Sequence, residues 1–335
     1  MISQPQAREL IRLATLAPSG HNTQPWKFSL DATIIRIYPD YSRRLPIVDP
    51  DNHALFISLG CALENLLIAA QHSGFNGEVE YFPDGEAQDC LLVHLHPNSH
   101  PADTALFHAI PKRQSTRCAY DSRAIPVTDL QELEKANTQD GIQLRLFTEA
   151  DDIEQITDFV KQGNRHQFNN PAFVNELLSW IRFNQREITS HQDGLIAAAL
   201  GFPSVSIPRW LGQTLMKVLA TPEGEAKRCE KLIQSSSALM LFIAQKHDKK
   251  HWVNLGRSFQ RVALTASSLT IKHAHINMPC EVLEVRRQFQ NYLGLEAAQP
   301  LLLLRIGYAQ AMPTSPRRPL EEVLIDESYS TTHTR

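Results

Sequence analysis

Cysteine is scarce in this 335-residue chain, and the five present, Cys61, Cys90, Cys118, Cys229 and Cys280, lie far apart. They offer neither a C-x-x-C pair nor a disulfide framework, which fits a reducing, cytoplasmic setting. No apolar run approaches the roughly 20 residues of a membrane span. Residues 1–9 lack the basic and apolar regions of a signal peptide. A net charge of -3 gives no electrostatic reason to expect nucleic acid or an anionic membrane as partner. There is no G-x-G-x-x-G, no Walker A pattern and no G-x-S-x-G, so a dinucleotide-binding fold, a P-loop ATPase and a serine hydrolase lack support. Histidine pairs do occur. His94-x-His96 and His273-x-His275 read as lying on opposite strand faces or at misaligned helix positions. His247-x-x-x-His251 could share a helix face, but no third ligand or glutamate base accompanies it. No metal site is expected.

What is present begins at Ala17-Pro18-Ser19-Gly20-His21-Asn22-Thr23-Gln24-Pro25-Trp26-Lys27-Phe28. Residues 7–16 carry apolar side chains at i, i+3, i+4 and i+7 spacing and read as an amphipathic helix. Pro18 and Gly20 are expected to end it, and residues 26–30 alternate as a strand. The small polar residues between them suit a loop that lines a ligand. Ser19 beside His21 could suggest a nucleophile and base, but no acid is placed to orient the histidine.

An internal repeat follows. Leu59-Gly60-Cys61-Ala62-Leu63-Glu64-Asn65-Leu66 lines up with Leu255-Gly256-Arg257-Ser258-Phe259-Gln260-Arg261-Val262. Each segment reads as a long helix, the first apolar on nearly every face and therefore central. Each precedes an apolar strand, at 90–95 and 301–306. The repeat distance is far too long for a solenoid unit, so duplication of a whole domain fits better than stacking.

The loop resembles the P-S-x-x-N-x-Q-P-W signature of the nitroreductase family of flavoproteins. The family's R-x-S-x-R element is matched at Arg113, Ser115 and Arg117. Its terminal strand and phosphate-binding arginine are similar to 304–309 and to Arg317-Arg318. The first half has no R-x-S-x-R, and the second has residues 137–141 where the P-S-x-x-N loop would stand. The fused relatives it most resembles are Acg-like FMN-binding oxidoreductases. The resemblance implies an α+β nitroreductase fold of two tandem halves, 1–105 and 106–335, forming an intramolecular pseudo-dimer with two antiparallel-rich mixed sheets. One copy of each element implies one FMN per chain and a protein that can be monomeric. Guanidinium groups match phosphate oxygens through charge-assisted hydrogen bonds. Arg113, Arg117, Arg317 and Arg318 are the candidates for the FMN phosphate, with Ser115 as a neutral donor. Pro18, Ser19, Gly20 and Asn22 are expected to border the flavin ring, whose edge needs donors that tune its potential. In relatives a backbone amide after the second central helix faces N5. The corresponding loop is 274–279, with no single residue chosen.

Residues 165–236 read as a lid-like insertion, with Trp180 and Arg182 as weak candidates and a mobile-looking stretch running from Asp193-Gly194 to Gly201-Phe202-Pro203-Ser204. The expected function is a flavin-dependent oxidoreductase that takes a hydride from NAD(P)H and reduces a nitroaromatic, quinone or similar small-molecule acceptor. The alternative is a non-catalytic, flavin-sequestering protein whose lid closes the site.

Overall fold

The computed structural model describes residues 2–83, 89–98, 104–200 and 206–325. Two four-stranded sheets are built from strands that pair antiparallel throughout. The first holds β1 (Trp26–Asp31), β2 (Ile34–Pro39), β3 (Phe75–Tyr81) and β4 (Leu91–Pro97) in the order β1-β2-β4-β3. The second holds β5 (Ile142–Phe147), β8 (Ala238–Ala244), β9 (Lys272–His275) and β10 (Gln299–Gly307) in the order β5-β8-β10-β9. Parallel pairing, expected within mixed sheets, is confined among the described residues to the short pair β6 (Ile181–Arg182) with β7 (Leu195–Ile196) and to two isolated bridges. One of those bridges joins Phe28 to Leu324, so the C-terminal segment returns to the first sheet.

The helices are α1 (Gln4–Ala14), α2 (His53–His72), α3 (Thr104–Ala109), α4 (Val127–Lys135), α5 (Ala150–Phe168), α6 (Pro171–Trp180), α7 (Gln185–His191), α8 (Arg209–Leu219), α9 (Pro222–Gln234), α10 (Lys249–Ser268), α11 (Met278–Glu281), α12 (Leu283–Tyr292) and α13 (Leu320–Val323). α1 starts earlier than its apolar spacing predicts because Ser3 and Gln6 form a capping box that encloses Pro5 in the first turn. It ends at Ala14, before Pro18 or Gly20 is reached.

The repeated helices α2 and α10 cross at the centre, and glycine makes the crossing possible. A Cβ on Gly60 would lie 2.1 Å from the Val253 carbonyl oxygen, and one on Gly256 would lie 2.0 Å from that of Ile57. Ile57 stands to Gly60 as Val253 stands to Gly256, so the contact is reciprocal, as at a two-fold interface. The obstruction on both sides is backbone, which cannot rotate away. Gly256→Ala is expected to cost about 2 kcal/mol or more, because overpacking outweighs alanine's better helix propensity. Urea denaturation of the variant measures this, and an unchanged midpoint would contradict the close crossing.

His94 and His96 both lie on β4, and His273 and His275 both lie on β9. Residues two apart on a strand share a face, so the opposite-face reading of these pairs is wrong. His273 and His275 have ring centroids 6.2 Å apart. His247 and His251 part company: the first bonds Asp51 and the second bonds Asp248 at the start of α10.

Candidate active site

The loop after α1 does not turn on its glycine. His21, Asn22 and Gln24 have φ of 49°, 55° and 53°, while Gly20 is not among the positive-φ residues. Side chains in the left-handed region persist only where their surroundings over-determine them. Ser19 Oγ accepts from the Gln24 amide at 2.9 Å, Gln24 Oε1 accepts from the Arg318 amide at 2.8 Å, and Gln24 Nε2 donates to the Gln192 carbonyl at 3.0 Å. Asn22 is a three-way junction. Its Nδ2 donates to the carbonyls of Gly194 and Pro316, both at 3.1 Å, and its Oδ1 accepts from Arg317 at 3.1 Å.

Arg113, Ser115 and Arg117 follow α3 in a segment that bridges β9 at Ser115 and His273. Thr116 donates its amide to the His273 carbonyl at 2.9 Å, and Gln114 holds Met312 of the C-terminal tail. Alternate residues of an extended segment share a side, and the three face a common cavity.

That cavity, of about 320 Å³, is lined by Pro18, Ser19, Asn22, Arg113, Ser115, Arg117 and Arg317 among others. A second, of about 200 Å³, shares Pro18, Ser19, Ser115, Arg117 and Leu195 with it. Gly20 and His21 join the lining there, with Ile57, Ser58 and Cys61 of α2, Phe259 of α10, His275, Asn277, Glu281, Leu301 and Leu302. The first cavity is the cationic end. Arg113 is buried, and its Nε and Nη1 have no partner. Arg117 donates to the Ala199 carbonyl at 3.3 Å. Arg317 donates to carbonyls of Thr15, Leu16, Ala17, Ser315 and Pro316, at 3.0–3.2 Å. Among the described residues none of the three forms a salt bridge with a carboxylate. Burial, reinforced by neighbouring arginines, pulls Arg113 and Arg117 down to about 10 and Arg317 down to about 9. All three remain cations at neutral pH. Burying uncompensated charge is costly, so the cluster is built for an anion.

Arg318 does not line either cavity. It is held by Glu322 at 3.3 Å and Asp40 at 3.7 Å, and so is already neutralised. Trp180 and Arg182 lie outside the cavities too. The insertion contributes Leu195 and Ala199 instead, while the expected stretch at 201–204 lies outside the described residues. Sequence reasoning missed Ser58, Cys61, Phe259 and Glu281. Small polar Ser58 and Cys61, one turn apart on the mostly apolar first half of α2, were the available signal.

Asp49, Asp51 and His53 could together face a metal, their ligand atoms lying within 4.8 Å of one another. The Asp49 carboxylate already accepts from the Ala54 and Leu55 amides at 3.0 and 2.9 Å, capping the first turn of α2. His53 Nδ1 lies 2.5 Å from Asp51. Burial opposes the charged imidazole, but the two aspartates hold its pKa up to about 9. A protonated histidine therefore fills the place an ion would take.

The position across α2 and α10 from the cavities is filled. Glu64, fully buried, binds Arg257 at 3.0 Å and Arg261 at 2.7 Å. Arg257 also donates to the Tyr81 hydroxyl at 2.8 Å, which donates to Asn254 at 2.9 Å. By the repeat, Asn254 and Arg257 stand where Ser58 and Cys61 stand in the open site.

No family model matches the chain. Over 333 residues it is 27% identical to the protein named "Putative NAD(P)H nitroreductase Rv3131" of Mycobacterium tuberculosis, covering 95% of this chain and 90% of that protein. The chain is similar, over nearly its whole length, to proteins named as nitroreductases. Another such relative, "Putative NAD(P)H nitroreductase acg" of the same organism, is 23% identical over 332 residues, covering 96% of each chain. Among solved structures, the chain is similar to a nitroreductase with bound FMN from Bacteroides fragilis (TM-score 0.39, 14% identity, 66% of this chain and 98% of that one). It is also similar to NfnB from Mycobacterium smegmatis in complex with NADPH (TM-score 0.43, 13% identity, 65% and 96%).

Proposed function

We propose that the chain is a cytoplasmic, FMN-dependent oxidoreductase that passes electrons from NAD(P)H to a nitroaromatic, quinone or similar acceptor. The observation that carries this is the buried guanidinium of Arg113, with Nε and Nη1 unpartnered, set with Arg117 and Arg317 in a cavity that shares a wall with a more apolar one. A phosphate dianion satisfies the first, and a flat aromatic ring suits the second. Arg113, Ser115, Arg117 and Arg317 would hold the phosphate, and Pro18, Ser19, Gly20 and His21 would border the ring. When bound, FMN supplies the two-electron chemistry that the side chains lack. Arg117 lines both cavities and so would bias the ring toward its reduced, anionic state.

In this reading the chain is an Acg-like fusion of two halves, 1–105 and 106–335, working as an intramolecular pseudo-dimer. The reciprocal crossing of α2 and α10 supports it. The ion cluster of Glu64, Arg257 and Arg261 accounts for a single site, because it fills the symmetry-related position. We expect about one FMN per chain without a second chain to complete the site. Released flavin measured against protein tests this, and two per chain, or FAD, would contradict it. Anaerobic mixing with NAD(P)H tests the activity through bleaching of the flavin. The second reading, flavin sequestration, is favoured by the segment carrying Leu195 and Ala199, which forms a wall of the cavities. A yellow protein that NAD(P)H cannot bleach would decide for it.

A further inference from the structure

Among the described side chains lining the two cavities, Glu281 supplies the only carboxyl. It ends α11 at the apolar cavity, and two elements fix it. Gln167 of α5 donates to Oε2 at 2.6 Å, and Asn277 donates to Oε1 at 3.2 Å. Asn277 is itself fixed, because its Oδ1 accepts from the Leu303 amide at 2.8 Å. Each carboxyl oxygen is thereby oriented, with a lone pair left to carry a proton.

We propose that Glu281 is the proton donor to the electron acceptor, an inference that rests on the flavin-oxidoreductase reading. A hydride brings a quinone two electrons and one hydrogen, so a second proton is needed to complete the hydroquinone. As the hydride arrives, the O–H bond of Glu281 breaks and an O–H bond forms on the quinone. The electron pair stays on the carboxylate, which solvent then reprotonates. The sum is NAD(P)H, H⁺ and quinone giving NAD(P)⁺ and hydroquinone. Ile57, Leu195, Phe259, Leu301 and Leu302 make much of this wall apolar, so an acid held in it has an advantage over stray water.

The other titratable groups lining the apolar cavity keep one state between pH 5 and 8. Burial, with the Arg117 charge, holds His21 down to about 4 and His275 down to about 3. Burial keeps Cys61 a thiol, and nearby His53 stays charged up to about 9. Burial raises Glu281 from the ordinary carboxyl range, against hydrogen bonds from Gln167 and Asn277 and the His53 charge, with Asp49 adding to the rise.

The test uses holoenzyme, reduced anaerobically with NAD(P)H and then mixed with a water-soluble benzoquinone in a stopped-flow instrument. In Glu281→Gln the ratio of reoxidation rate to reduction rate is expected to fall about 100-fold. The wild-type reoxidation rate should decline as pH rises above the ordinary carboxyl range, and that of the variant should not. Infrared difference spectra of wild-type protein, reduced minus oxidised, should carry a protonated-carboxyl band that the variant lacks. An unchanged ratio, or a wild type without the band and the pH dependence, overturns the proposal, and the wild-type measurements stand even if the variant misfolds. Protein that binds no flavin, or whose flavin NAD(P)H cannot reduce, overturns the functional reading instead and the proposal with it.

Discussion

Arg113→Met is expected to weaken FMN binding about 10- to 100-fold while making the flavin-free protein more stable. The first effect follows from losing charge-assisted hydrogen bonds to phosphate, worth about 1.5–3 kcal/mol, with each 1.4 kcal/mol a factor of ten. The second follows from the unpaired Nε and Nη1 of a buried guanidinium. Its folded pKa of about 10 lies below the ordinary 12.5. For a cation that sign means a stability loss at every pH below about 10, relieved only as pH rises from there toward 12.5. Methionine keeps much of the volume and removes the charge, so the melting temperature without flavin should rise at pH 7. Fluorescence titration with FMN and thermal unfolding of flavin-free protein read the two effects separately. Unchanged affinity would move the phosphate elsewhere, and a lower melting temperature would mean that Arg113 is paired. Binding sites are commonly destabilised for their ligand, and opposite signs from one substitution would be the signature of that trade.

Local pattern in the chain carried the parts of this architecture that depend on local pattern. The loop from Pro18 to Trp26 and the R-x-S-x-R segment are contiguous motifs, and eight of the nine proposed contacts line the paired cavities. The ninth, Arg318, has the same residue type and setting as Arg317, and only the fold brings Asp40 and Glu322 to it. The repeat placed α2 and α10 correctly because Gly60 and Gly256 mark a close approach that a helix interior otherwise disfavours. β8 escaped notice although every residue of it is buried. A continuous apolar run has no alternation to distinguish a strand from a buried helix. Glu281 and Phe259 were illegible for a different reason: they meet Ser19 and Arg117 only through tertiary folding. The same holds for the ion cluster at Glu64, whose partners lie a whole repeat away.

Asp193→Asn should be the most disruptive single change near the site, and it separates the two functional readings. Asp193 Oδ1 accepts from Arg182 Nε at 3.0 Å and Nη2 at 2.5 Å, and Oδ2 accepts from Arg43 Nη2. Asp193 and Arg182 are both about 95% buried. Both guanidinium groups also flank Trp180, at 5.4 and 5.6 Å from its ring centroid. Removing the carboxylate charge leaves two arginines with an uncompensated burial cost, and breaking such a group typically loses about 3–5 kcal/mol. The loss should be partly local. Gly194 ties this segment to Asn22 through two hydrogen bonds, and Leu195 and Ala199 follow it into the cavity wall. Unlatching it should therefore speed FMN exchange, read by displacement with excess riboflavin, before it lowers the global melting temperature in proportion. Reduction by NAD(P)H then decides the role of the wall. Hydride transfer needs the nicotinamide within stacking distance and correctly oriented. A wall that shapes the pocket predicts slower bleaching in the variant, the outcome we expect from Leu195 lining both cavities. A wall that shuts the site predicts the reverse: a wild type that stays yellow and a variant that bleaches, which would make the protein a store of flavin rather than an enzyme.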